Sequence, residues 1–280
     1  MSYADKVFIE TCRNILDNGS STYGESVRAR WEDGSPAYTK RLFGVSNTYD
    51  VGKEFPAITL RKTYLKSAMD EILWIYQKKS NKLSDLHSDI WNKWAKDDNT
   101  IGNAYGYQVN KKVSLIDSKI MDQMDYILYC LKNDPFNRRM VISLWNPEEL
   151  HLMSLTPCAW TITLMVTKED NTNTLNMLLV QRSQDMLTAS NWNVAQYAIL
   201  LMMLAQVSNM KVGKLNHTIA DCHIYDRHIP IIEELLNRDT YDAPIVKLNP
   251  DIKDFYKFTT DDLIIENYIA GEQVHFEVAE

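Results

Sequence analysis

One stretch of this 280-residue chain gathers residue types that do chemistry rather than packing: Gln181-Arg182-Ser183-Gln184-Asp185, with Pro157-Cys158 upstream of it. Residues 174–180 (Leu175, Met177, Leu178, Leu179, Val180) are apolar and β-prone, and predict a buried strand that ends in this Arg-Ser-x-Asp group. A cation, a hydroxyl and a carboxylate placed where a strand leaves the core point to a ligand site. Arginine can grip a phosphate bidentately, and serine adds a neutral donor. Cys158 opens a second β-like run that continues to Val166. If the two strands pair, the thiol and the anion grip face one cavity. A nucleophile beside an anion clamp is what covalent chemistry on a nucleotide needs.

Other residues carry two readings each. Glu71 directly precedes Ile72-Leu73-Trp74-Ile75 in an amphipathic helix expected over 63–79. It is either solvent-directed or a buried acid with a raised pKa, able to relay protons. Trp91 and Trp94, three apart in the stretch 88–94, share a helical face and either pack in the core or wall a flat aromatic ligand. Tyr105 lies between Gly102 and Gly106, at a loop tip or bulge. Arg28 sits in a basic loop, and Arg138-Arg139 at the entry to a strand over 140–145; each is a solvated charge or an anion contact. A helix over 192–207 is apolar all round and therefore buried, so Asn193 in its first turn is expected to be a buried amide. Such an amide needs partners on both O and N, as a structural cap or as a reader of a heterocycle edge. His223 and Tyr225 alternate to one face of a strand over 215–225, structural or ligand-facing.

These residues must be held by the rest of the chain. Helices are expected over 1–18, 116–131, 147–152 and 230–236, and strands over 43–60, 245–248 and 263–268. No repeat, low-complexity segment or long linker divides the chain, so the expectation is one α+β domain, 1–280, built on a large antiparallel or mixed sheet flanked by helices. The net charge of -7 argues against a general nucleic-acid binder but leaves room for a nucleotide held by a local arginine cluster. No apolar run approaches the ~20 residues of a membrane span. Asp5, Lys6, Glu10 and Arg13 make the N-terminus unlike a signal peptide. Cys12, Cys130, Cys158 and Cys222 are scattered without metal-ligand spacing, as free thiols of a reducing cytoplasm would be.

In order and spacing, the chain resembles the thymidylate synthase family along essentially its whole length. The motifs are Glu71 to Trp74, Ile90 to Trp94, Tyr105-Gly106, Asn137 to Arg139, Ser143 to Asn146, Pro157-Cys158, Gln181 to Asp185, Asn193, Asp221 to Tyr225 and Val278-Ala279. Each is weak alone; together they are specific. The resemblance implies the family's large-sheet fold, a homodimer formed through the sheet, and reductive methylation of dUMP to dTMP. In that reaction 5,10-methylenetetrahydrofolate, as cosubstrate, gives both carbon and hydride and leaves as dihydrofolate. It implies no metal and no membrane.

Residue by residue, the resemblance makes Cys158 the thiol that adds to C6 of uracil, activated toward thiolate by nearby arginines. It makes Glu71 the acid/base serving O4, and Tyr105 an aid in removing the C5 proton. It assigns dUMP to Arg28, Gln181, Arg182, Ser183, Asp185, Asn193, His223 and Tyr225, with Arg138 and Arg139 reaching in from the partner subunit. Asn193 then reads O4 and N3, and His223 and Tyr225 hold the ribose. Arg61, Trp91, Trp94, Asp185 and Ala279 line the folate site.

The chain departs from the family's usual pattern at Ala159, which follows the nucleophile, and at Arg61-Lys62. It also departs in Thr188-Ala189-Ser190-Asn191-Trp192-Asn193, where Ala189 replaces a glycine, at Asn92 and at Glu280. The first three departures resemble a Gram-positive subgroup. A pyrimidine-nucleotide hydroxymethylase of the same fold is the nearest alternative, since it differs only on the folate side. A non-catalytic RNA- or nucleotide-binding homologue is the other, and the joint presence of Cys158, Glu71, Tyr105 and Asn193 speaks against it.

Overall fold

A computed structural model describes residues 1–114 and 120–279. The chain opens with helix α1 (Tyr3–Asn18), whose Ser2 and Asp5 form a capping box. Strands β1 (Ser20–Ser21) and β2 (Thr39–Asp50) follow. Helix α2 (Leu65–Ile72) passes directly into a π turn, Leu73–Gln77, so the expected single helix is split just after Glu71. Such π turns concentrate at functional sites because they re-aim side chains. Residues 88–94 form no regular α-helix; only a 3₁₀ turn, Asn92–Trp94, appears, with Asn92 tied back to Asp89.

Next come the short helix α3 (Gly106–Val109), the strand pair β3 (Lys112–Ser114) and β4 (Ile120–Asp122), and helix α4 (Gln123–Asn133). This corrects the helix expected from 116: within the described residues it starts at 123. Asp122 accepts the Asp125 amide as its N-cap, a start signal that apolar spacing overrode. Then follow β5 (Val141–Ser143), β6 (Ala159–Glu169), β7 (Thr172–Asp185), α5 (Ser190–Val207), β8 (Lys211–Tyr225), α6 (Ile229–Leu235), β9 (Ile245–Leu248) and β10 (Leu263–Glu266). The expected helix over 147–152 is only a 3₁₀ turn at Leu150–Leu152.

Six strands form one sheet in the order β1-β2-β8-β7-β6-β5, with β9 and β10 paired separately. Every neighbouring pair in the sheet is antiparallel except β7 and β8. A parallel pair needs a long crossover, and α5 supplies it. That explains its composition: lying under the sheet, α5 is apolar all round, and Val194, Ala198, Leu201 and Leu204 are all buried. Along β7 the alternation sends Leu175, Met177, Leu179 and Gln181 into this core, while Leu178 remains on the opposite, open face. The sheet is mixed, as expected, and one apolar core runs from Ala4 to Leu263.

Candidate functional site

The site begins where β6 and β7 pair. Ala159 lies opposite Gln181, and the register shifts before Thr161 opposite Val180. The Arg182 amide donates to the Cys158 carbonyl at 3.0 Å, which puts the thiol and the arginine side by side. The strand does not stop before the Arg-Ser-x-Asp group: β7 runs through Asp185, so the group is held rigidly within the sheet. Arg182 donates through Nε to Pro157 (3.0 Å) and through Nη2 to Thr156 (2.8 Å), and the same Nη2 lies 3.6 Å from Cys158 Sγ. The cation thus shapes the loop that presents the nucleophile.

Burial pushes the Cys158 thiol above its ordinary value; Arg182, and more weakly Arg28, pull against it. The arginines do favour the thiolate, but burial outweighs them. Tyr105 closes the other side, its hydroxyl accepting the Cys158 amide at 3.3 Å. Its backbone has φ +44°, a region that costs a bulky residue strain. Gly106 makes this turn possible, because a Cβ there would sit 2.2 Å from the Ser80 carbonyl oxygen.

Glu71 is buried. Its Oε1 accepts the Trp91 indole N–H at 2.9 Å and its Oε2 accepts the Trp192 indole N–H at 2.6 Å. Burial raises its pKa, and the two indoles and the Gln196 amide partly offset that. Trp91 also meets Trp94 edge-on at 5.5 Å and Tyr105 at 5.0 Å between ring centres.

A cavity of about 640 Å³ is lined by Arg28, Arg41, Ser183, Asp221, His223 and Tyr225, among others, while Cys158, Arg182 and Asn193 are not part of its lining. The parallel register of β7 and β8 assembles it, setting Ser183 against Asp221 and Asp185 against His223. Gln181 bonds to Asn193 at 3.3 Å, and Asn193 in turn donates to Gln196 at 3.0 Å. Asn193 itself is only half-buried, not sealed in the core as expected.

Asp185, Arg61, Ala279, Arg138 and Arg139 lie outside the lining of this cavity. Asp185 caps its own turn, accepting the Leu187 and Thr188 amides, with His228 3.7 Å away. Burial would raise its pKa, but His228, His223 and Thr188 hold it below the ordinary carboxylate range. Arg61 is buried and ties the C-terminal segment down, donating to Gln273 at 3.1 Å and to the Leu187 carbonyl; burial lowers its pKa to about 10. Ala279 is half-buried at the end of that segment, and Glu280 lies outside the described residues. Arg138 and Arg139 are exposed and do not line the cavity of their own chain. They precede Val141, which pairs with Thr163, five positions along β6 from Cys158 (163 − 158) or about 16 Å of strand.

The thymidylate synthase family model matches residues 6–280. The chain belongs to the thymidylate synthase family. It is 39% identical to the thymidylate synthase of Bacillus subtilis subsp. natto and 40% identical to that of Bacillus licheniformis, with all of each chain covered in both cases. The solved thermostable thymidylate synthase A from Bacillus subtilis superposes with a TM-score of 0.93 at 38% identity, again over the full length of both chains. Within the family frame, the departures at 188–193 acquire a physical account. Ala189 is the N-cap of α5 with φ −124°, a conformation open to any residue, so losing the glycine costs no backbone strain. Trp192 supplies the second donor to Glu71.

Sequence reasoning missed His217, Gln196 and His228, and noticed Trp192 only as a departure. His217 had a signal: it shares strand parity with His223 and so points to the same side of β8.

Proposed function

We propose that this chain catalyses the reductive methylation of dUMP to dTMP, with 5,10-methylenetetrahydrofolate as cosubstrate, through a covalent bond between Cys158 and C6 of uracil. The observation that carries the residue assignment is the cluster of half-buried Cys158 and Arg182 with buried Tyr105 at the β6–β7 junction. Full-length family membership favours the synthase over the hydroxymethylase.

Arg28, Ser183, His223 and Tyr225 anchor the phosphate and ribose end of dUMP in the cavity they line. Arg182 positions the thiol beside it. Cys158 Sγ adds to C6, and C5 becomes the nucleophile toward the folate methylene. Asn193 reads O4 and N3 with an amide whose neighbours are Gln181 and Gln196. Glu71, its raised pKa set by burial, handles the proton at O4. Tyr105, against Cys158, assists removal of the C5 proton. Trp91, Trp94, Arg61, Asp185 and Ala279 form the folate side. The folate supplies the carbon and the hydride, and the aromatic wall of Trp91 and Trp94 suits a flat pterin.

We also infer one domain, 1–280, working as a homodimer in the cytoplasm. The continuous core supports the single domain, and four free cysteines suit a reducing compartment. The open face of the sheet carries the apolar Leu178, Met165 and Val141 beside a hollow of about 910 Å³, a patch that a second copy would cover. A partner docked there can bring its Arg138 and Arg139 to a site their own chain leaves them far from.

The test of the reaction is a product assay with dUMP and methylenetetrahydrofolate. Equal amounts of dTMP and dihydrofolate support the synthase, whereas hydroxymethyl-dUMP with tetrahydrofolate would refute it. The dimer is tested by mixing Cys158→Ser chains with Arg139→Glu chains. Recovered activity from two inactive preparations supports a shared site, and no recovery under conditions of subunit exchange counts against it.

A further inference from the structure

Asn193 can discriminate uracil from cytosine only if its amide cannot turn over. Uracil presents an acceptor at O4 and a donor at N3–H; cytosine presents the reverse. An amide free to flip by 180° would complement either base equally well. Whatever pins the amide therefore sets the choice of pyrimidine.

The pin is a chain of hydrogen bonds that all point one way. His217 Nε2 meets Gln181 Oε1 in a short contact. Gln181 Nε2 donates to Asn193 Oδ1 at 3.3 Å, and Asn193 Nδ2 donates to Gln196 Oε1 at 3.0 Å. The Nε2 of Gln196 is buried and has no hydrogen-bond partner among the described residues. His217 is buried within β8, and burial lowers its pKa to about 3, so the ring is neutral at working pH. A neutral ring facing a carbonyl oxygen must donate through Nε2–H. Reversing Asn193 would set carbonyl against carbonyl at Gln196 and N–H against N–H at Gln181.

We propose that His217 is a positioning residue for pyrimidine specificity, fixing through Gln181 the face of Asn193 that meets the base. This rests on the reading that Asn193 contacts the pyrimidine edge. Without the His217 donor, Gln181 is free to rotate and the lock on Asn193 opens from one end.

The experiment measures dissociation constants for dUMP and dCMP by calorimetry on the full-length protein and on His217→Phe, His217→Gln and Asn193→Ala, with His217→Leu replacing the phenylalanine variant if that does not fold. In His217→Phe the dUMP preference should fall by roughly tenfold or more, the loss expected when a buried donor disappears, mainly because dCMP binds better. His217→Gln, which keeps an N–H donor, should restore most of the preference. A merely structural role would weaken both nucleotides together and leave the ratio unchanged, and that result overturns the proposal. Asn193→Ala separates the two failures. If it keeps the preference, Asn193 does not read the base; if it loses the preference while His217→Phe keeps it, only the relay is wrong.

Discussion

The two ends of the cleft work by different physics. The end proposed to hold the phosphate is open and ionic: Arg28 is exposed, and Arg41 pairs with Asp221 at 3.1 Å in partial contact with solvent. The end proposed to hold the base is buried and bound by directional contacts: Glu71, Gln181 and His217 are nearly or fully inaccessible, Glu71 held by the Trp91 and Trp192 indoles and Gln181 by His217. Charge contacts at a wet surface are screened and geometrically tolerant. Buried hydrogen bonds are few, directional and costly to leave unmade. On the proposed reading, the first end supplies affinity for any nucleoside monophosphate, and the second decides which base stays. Cys158 sits at the boundary, touched by the cation of one region and the buried tyrosine of the other.

The largest break falls at that boundary. Cys158→Ser should lower turnover by about 10⁴-fold or more while dUMP still binds, as single-turnover kinetics and calorimetry can separate. Surviving turnover would remove Cys158 as the nucleophile. Within the dry end, Glu71→Gln should cost about 10²- to 10³-fold in kcat with a change of only a few fold in dUMP affinity. At the wet end the pattern should invert. Arg28→Ala should weaken dUMP by about tenfold, chiefly at low salt, with kcat nearly unchanged at saturation.

The smallest effect sharpens the contrast. Burial raises the Glu71 pKa and the Trp192 N–H opposes that rise by stabilising the carboxylate. Trp192→Phe removes the donor, so the pKa should climb further. If the ionised form is the working one, the acid limb of the kcat/KM profile should move to higher pH by about one unit, the scale of one charge-assisted hydrogen bond. A limb that stays in place, or moves toward acid, would mean that Glu71 does not control it.

The wet end was largely legible in the sequence. Ser183, His223 and Tyr225 follow from strand alternation, and β6 and β7 pair as their patterns suggested. The Cys158–Arg182 contact needed only that pairing. The dry end was less so. That Glu71 is buried, not solvent-directed, depends on Trp91 and Trp192 arriving from segments 20 and 121 residues away. The His217–Gln181–Asn193 chain joins two neighbouring strands and a crossover helix, and no local spacing encodes it. The strand pair before α4 escaped for a different reason. Ile120, Met124, Ile127 and Leu131 keep a helical period across a boundary that only the Asp122 cap marks. Local patterns report elements and their faces; long-range hydrogen bonds between polar residues are written at no fixed spacing.

The proposed step that everything else serves is attack by Cys158 on C6 of a uracil held between these two ends. It is tested most directly by trapping the adduct with methylenetetrahydrofolate and a dUMP analogue whose C5 carries fluorine in place of the proton that must leave. After denaturation and digestion, mass spectrometry should find nucleotide and folate together on the peptide containing Cys158, and Cys12, Cys130 and Cys222 unmodified. An adduct on another cysteine, or none while dTMP is still produced, would contradict it.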